Sequence, residues 1–430
     1  MNRLLQYLAA IPLLWIASTA QAQLQITIDR GSTGAQPIAI VPFEGNGELT
    51  DVAKIVDDDL VRSGRFYTLA RTDMLEKPSD PANVNFQNWR IVNMNHVVIG
   101  SVTRDPATDM VSTRFYLMDV YGGQQVLGFD MPAVRSEQLR YVGHQIADLV
   151  FEKLTGIKGV FNTKIAYISS NGYGRDRQYK LIVADADGYA PRTVATSRDP
   201  LMSPSWSPDR KRLSYVGYER GSMAVFIHTL ATGEVRKLTA EKGINGSPAW
   251  SPDGTRIALT LSFETNSDIY VVEVASGKRT RLTNHYAIDT EAAWSPDGQW
   301  IVFTSDRGGN PQIYRLPATG GEPERMTFEG RQNLRASYSP DGRKLVLVNY
   351  DQGRYRIATL DVETRQLSVL TDGNLDEGPS WAPNGDVIIY TTQGGSSATL
   401  ATITADGRVK QTLRQPGSVQ EPAWSPFFNQ

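Results

Sequence analysis

A tryptophan, once replaced by tyrosine, returns along the C-terminal two-thirds of the chain at a fixed stride. The positions are Trp206, Trp250, Trp294, Tyr338, Trp381 and Trp424, spaced by 44, 44, 44, 43 and 43 residues. A constant period in this range marks a repeat architecture. Most of these residues are followed by Ser-Pro-Asp-Gly or a close variant. Short runs come next, such as "IALTLS", "IVFTSD" and "LVLVNY", then "IYVVEV" or "IYRLPA", and last "KLT", "RLT", "RMT" or "VLT". Runs rich in Val, Ile, Tyr and Thr between turn residues read as strands. Four of them per period make one propeller blade. In Ser-Pro-Asp-Gly the proline presets φ, Asp suits the third turn position, and Gly takes the bulge that follows. The tryptophans read as wedges between blades. The repeated letters therefore hold a ring together and carry no chemistry of their own.

Six units begin a second strand, at Ile165, Leu213, Ile257, Ile301, Leu345 and Val387. The unit at Ile165 has no tryptophan motif before it, and Trp424-Ser425-Pro426 has no blade after it. The economical arrangement lets the C-terminal strand supply the inner strand of the first blade, which removes the exposed edges of an open ring. The fold class expected is mainly β with an α/β domain: a six-bladed β-propeller (161–430) closed by the C-terminal strand and preceded by a small mixed α/β domain.

That preceding domain is expected over 23–160. "PIAIVPF" (37–43) and "HVVIGSVTR" (96–104) read as strands, and two further runs flank the hairpin signal Gly122-Gly123. Thr50 is placed to cap a helix over about 51–63, and Ser136 a second one running to Gly156. Residues 1–22, "MNRLLQYLAAIPLLWIASTAQA", have an early charge at Arg3, an apolar stretch from Leu4 to Ala17, and the small-x-small triplet Ala20-Gln21-Ala22. They read as a secretory signal peptide, leaving no transmembrane segment in the mature protein. The mature N-terminus, 23–34, alternates polar and apolar residues and breaks at Gly31 and Gly34, so it can pair as an edge strand or detach.

The order of strands sorts the loops. The "SPDG" turns lie on one face of the ring, and the longer loops that return to each inner strand lie on the other, around the channel mouth. Those loops carry acidic residues such as Asp289, Glu291, Glu329 and Glu377. Apolar residues are interleaved, among them Met202, Ile244, Tyr286, Ile288 and Leu334. Mixed charge and apolar side chains on a long-loop face suit a protein-binding surface.

Composition narrows the function classes. A formal net charge of −2 gives no footprint for nucleic acid. With no cysteine, thiolate catalysis and Cys-ligated zinc are excluded. The four histidines, His96, His144, His228 and His285, do not pair at metal-ligand spacing. A propeller-bearing serine peptidase needs a Gly-x-Ser-x-Gly elbow, and none occurs. The remaining enzymatic alternative is a lyase or hydrolase with its active site in the channel, for which His285 is the lone histidine in a mouth loop.

Three stretches carry a family resemblance: the junction "FEKLTGIKG", the strand "PIAIVPF" after "IDRG", and "GYAPRTVATSRDPLMSPSWSPD". With the leader and the closing "EPAWSPF", the chain resembles the TolB family of the Tol–Pal envelope system of Gram-negative bacteria over its whole length. The resemblance implies a monomeric periplasmic binding protein, not an enzyme, with no cofactor or metal, serving outer-membrane integrity and cell division. It implies that the peptidoglycan-associated lipoprotein Pal binds at the propeller mouth, and that bacteriocin translocation domains use the same mouth. Carried over by position, the Pal contacts are Met202, Ser203, Asn245, Gly246, Ser247, Asp289, Thr290, Glu291 and Arg335. The inner-membrane protein TolA is implied as the partner of Gln23, Leu24, Gln25, Ile26, Thr27, Ile28, Asp29, Arg30, Gly31 and Ser32. Ile244 stands where the family usually has a histidine, which removes a hydrogen-bonding group at that point.

Overall fold

The computed structural model describes residues 34–427 apart from 173, 264, 265, 396 and 414. The leader (1–22) and the segment assigned to TolA (Gln23 to Ser32) lie outside the described residues.

The N-terminal part is a five-stranded sheet with helices on both faces. Its strands are β1 (Gln36–Ile40), β2 (Phe66–Thr68), β3 (His96–Arg104), β4 (Met110–Asp119) and β5 (Gln124–Arg135), in the order β2-β1-β3-β4-β5, and β1 runs parallel to both neighbours. Strand alternation splits the core in two. Ile38, Ile40 and Val98 face helices α1 (Val52–Arg62) and α3 (Leu139–Thr155), through Val52, Val56, Leu60, Val142 and Ile146. Ala39, Val97 and Ile99 face the short helix α2 (Phe86–Ile91), through Trp89. Gly143 lets α1 and α3 approach: a Cβ there would sit 2.8 Å from Cγ2 of Ile55. Two helix starts differ from the sequence expectation. Asp51, not Thr50, caps α1, its carboxylate accepting from the Lys54 amide at 3.0 Å. Ser136 opens one 3-10 turn, so α3 begins at Leu139 without a side-chain cap. The helix ends where expected, on Gly156 at φ 73°.

The rest is a ring of six four-stranded sheets. Blade 1 combines strand 418–424 with strands 164–171, 178–185 and 192–197, and Trp424 pairs opposite Ile165. The ring is thus closed by the C-terminal strand, as the repeat arithmetic requires. Blades 2 to 6 start their inner strands at Met202, Asn245, Asp289, Gln332 and Asp376. The tryptophans are buried wedges, and several stitch one blade to the one before it. Trp294 Nε1 donates to the Ala249 carbonyl at 3.1 Å, Trp381 Nε1 to Ser337 at 3.3 Å, and Trp206 Nε1 to Ala423 at 3.0 Å, which bonds blade 2 to the closing strand.

The Ser-Pro-Asp-Gly turns owe more to their serine than the sequence suggests. Ser251 Oγ donates to Asp253 at 2.5 Å and accepts the Arg256 amide at 3.0 Å; Ser295 repeats this with Asp297 and Trp300. The serine hydroxyl, followed by the backbone amides, holds the Asp253 and Asp297 carboxyls below the usual carboxylate range. In blade 2, Arg210 takes the left-handed conformation (φ 58°) that glycine takes in the other turns.

A buried ionic joint ties the N-terminal part to blade 1. Asp59 on α1 meets His144 Nδ1 on α3 at 2.5 Å and Arg62 at 2.7 Å. Burial is the largest influence and opposes the imidazolium, but the Asp59 charge and hydrogen bond, with the Asp187 charge, together outweigh it, so the His144 pKa is raised. Arg140 on α3 reaches Asp185, the last residue of strand 178–185, and Asp187 in the turn after it, and Lys164 also contacts Asp185. Burial pushes the neighbouring Asp148 carboxyl up to about 7, against the Phe161 and Asn162 amides that it accepts at 2.8 and 3.2 Å.

Candidate functional site

Each inner strand bulges at one place, three residues before its tryptophan or tyrosine. The residues there are Ser203, Ser247, Glu291, Arg335, Gly378 and Glu421, all at φ between 49° and 60°, and the ladder slips register beside each of them. Left-handed backbone at a non-glycine residue is uncommon, and its recurrence in a ring points to one geometric cause. The bulge turns five side chains and the bare backbone of Gly378 to the channel, where they line a cavity of about 300 Å³.

The charged members are spent on one another. Arg335 Nε lies 3.2 Å from Glu291 in the adjacent blade, and its terminal nitrogen lies 3.5 Å from Glu421 in blade 1. The second contact crosses blade 6, whose residue at this level is Gly378 and presents no side chain. Glu421 also accepts the Ser203 amide, and Glu291 accepts the Thr304 hydroxyl at 2.9 Å. Glu421 first, then Glu291 against the burial cost, holds the Arg335 guanidinium above its ordinary pKa. Burial raises the Glu377 carboxyl, with Glu421 and Glu291 adding to what Arg335 offsets. Glu291, Glu377 and Glu421 share Arg335, which leaves this rim acidic.

Of the nine residues assigned to Pal, Ser203, Ser247, Glu291 and Arg335 line the channel together. Met202, Gly246 and Thr290 sit one position earlier in their strands. Asn245 and Asp289 are placed differently from what an exposed contact requires: both are fully buried. They occupy a position, five residues before the tryptophan, that faces inward and ties down the mouth loop. Asn245 brackets Glu241, donating to its carbonyl at 2.7 Å and accepting its amide at 2.9 Å. Asp289 takes both its bonds from Arg307, at 2.9 and 2.8 Å. They shape the surface from beneath.

The same level in blade 5 holds Asn333, which donates to the Glu329 carbonyl at 2.8 Å. In blade 6 it holds Asp376, fully buried, whose two oxygens have no hydrogen-bond partner among the described residues. An unsatisfied buried acceptor costs about 1–3 kcal/mol. Asp376→Asn, which installs the residue that blades 3 and 5 already use, is expected to raise the urea midpoint with m unchanged. A lowered midpoint would contradict that reading.

The surface itself is carried by apolar side chains that these clamps hold outward. Tyr286 is 85% exposed and Phe328 65%, with Ile244 and Ile288 also exposed. The loop under Tyr286 is fixed: Asn266 donates to the His285 carbonyl at 2.7 Å, His285 Nδ1 accepts the Ala287 amide at 3.1 Å, and Asp306 accepts the Ile288 amide at 2.8 Å. Tyr286 lies against the His285 ring at 4.1 Å between centroids. Phe328 has no signal of its own in the sequence beyond its place in a mouth loop. Exposed aromatic side chains thus stand at the mouth of an acidic channel.

Comparison with known proteins agrees with this architecture. The family described as "TolB beta propeller domain" matches residues 151–428, and the "TolB amino-terminal domain" matches 24–126. The chain is 58% identical to the Tol-Pal system protein TolB of Thioalkalivibrio sulfidiphilus over 416 residues, 95% of each chain. It is 57% identical to that of Methylococcus capsulatus, over 96% of this chain and 97% of the other. The crystal structure of TolB from Acinetobacter baumannii superposes with a TM-score of 0.87 at 38% identity, covering 94% of this chain and 100% of that one. A six-bladed ring closed by its own C-terminus, an α/β domain before it, and this likeness over nearly the full length place the chain in the TolB family, as a component of the Tol–Pal system.

Proposed function

We propose that the protein is a periplasmic binding scaffold that takes Pal at the propeller mouth and TolA through residues 23–32, and that it acts by binding, not catalysis, in maintaining the outer membrane and supporting division. The observation that carries the first part is the exposed group Ile244, Tyr286, Ile288 and Phe328 beside the Glu291–Arg335–Glu421 chain. Apolar anchors beside charged groups are the composition of a protein-binding hot spot. The channel's charged side chains pair with one another, which suits a fixed electrostatic rim better than an acid–base pair awaiting substrate.

A Ser247→Arg/Thr290→Arg double variant tests the mouth. The fold tolerates the first change, because Arg335 occupies the same bulge at φ 53° where Ser247 has 49°. It tolerates the second, because Leu334 and Glu377 stand where Thr290 does in their own blades. In a pull-down from envelope extract, the wild type is expected to recover Pal and the double variant to lose it. Equal recovery would remove the mouth as the docking place.

A further inference from the structure

The joint between α3 and blade 1 contains a set of donors that the partner-binding reading does not use. A ring nitrogen of His144 and one carboxylate oxygen each from Asp185 and Asp187 lie within 4.8 Å of one another. His144 is 3% exposed, and its Nδ1 is taken by Asp59 at 2.5 Å. The other ring nitrogen, Nε2, is buried and has no hydrogen-bond partner among the described residues. The Nε of Arg140, in the same pocket, has none either and stands 3.5 Å from Asp185. A buried imidazole nitrogen without a partner, close to two carboxylates, calls for an explanation, and a bound ion is among those such sites have.

We propose that His144, Asp185 and Asp187 form a divalent-cation site, of the zinc class, that cross-links helix α3 to the first blade. The Asp59–His144 contact is the outer-shell arrangement of a metal-ligating histidine, whose second ring N–H is held by a carboxylate that fixes its tautomer and orientation. One imidazole nitrogen and two carboxylates, without sulfur, suit zinc and its neighbours better than calcium, which takes six to eight oxygens. The site is non-local: α3 brings His144, and the end of strand 178–185 with the turn after it brings the two aspartates. The ion takes the place of the Arg140 guanidinium between the two carboxylates and displaces the proton on His144 Nε2, while Lys164 keeps its contact with Asp185. The Tyr189 ring, over which Arg140 lies at 3.9 Å, keeps a contact for the displaced guanidinium.

The test uses the full chain, stripped with a chelator and titrated with zinc chloride alone by calorimetry. The wild type is expected to take up one zinc per chain. Asp187→Asn and His144→Gln are expected to weaken uptake by about tenfold or more. Arg140→Met, which removes the competing cation, is expected to tighten it. Absence of saturable uptake by the wild type, or uptake that Asp187→Asn and Arg140→Met both leave unchanged, overturns the proposal. If the ligand variants do not fold, cobalt-loaded wild type decides by NMR. Paramagnetically shifted His144 ring resonances support the site, and unshifted ones overturn it.

Discussion

A chain truncated after Gly417 is expected to lose most of the stability of the propeller, not merely to fray at one end. The deleted strand is the inner strand of blade 1, and it buries Val419 and Trp424. Trp424 Nε1 donates to Thr163 Oγ1 at 2.8 Å, its amide donates to Ser380 at 3.0 Å, and Ala423 receives the Trp206 indole. One strand thus contacts blade 1, blade 2 and blade 6. Truncating a buried tryptophan to alanine costs about 3–5 kcal/mol, and a whole domain has only about 5–15 kcal/mol to lose. Urea unfolding followed by tryptophan fluorescence should show a large fall in midpoint for the truncation, and a smaller one for Trp424→Ala. An unchanged midpoint after truncation would mean that the ring does not depend on this closure.

Asp59→Ala is the second large effect expected. It leaves Arg62 and His144 buried beside each other without the carboxylate that holds both. Removing one partner of a buried ion pair costs about 3–5 kcal/mol, because the remaining charge stays buried and unpaired. The loss should fall on the N-terminal part and its joint to blade 1, leaving the other blades intact. Hydrogen exchange should therefore show faster exchange along α1 and α3, with strands 245–250 and 257–261 unaffected. A stability equal to the wild type would show that Asp59 is dispensable there.

The ring was legible because its determinants are local and repeated. A tryptophan, a proline-containing turn and four short apolar runs each announce themselves within one period, and the mismatch between Ile165 and Trp424 gives the closure by arithmetic. The channel wall was less legible. Ser203, Ser247, Glu291, Arg335, Gly378 and Glu421 share no side-chain chemistry, because their position asks for a backbone bend and leaves the side chain to the channel. Asn245 and Asp289 are assigned as contacts by position, from the family resemblance. Their burial follows from facing inward beneath the loop, which sequence spacing does not display. The joint was hidden for a different reason: Asp59, His144 and Asp187 lie far apart in the chain and meet only through tertiary packing. Strand β2, three residues long, and helix α2, six residues long, fall below the length at which periodicity carries a signal.

Everything proposed for the propeller rests on Pal docking at the mouth, not at the turn face or the N-terminal sheet. Hydrogen–deuterium exchange of the full chain with and without saturating Pal tests it most directly. Exchange is expected to slow in the loops at 240–247, 284–291 and 328–335, with the "SPDG" turns of the opposite face unchanged. Protection confined to those turns or to β5, with the three mouth loops unaffected, would contradict it.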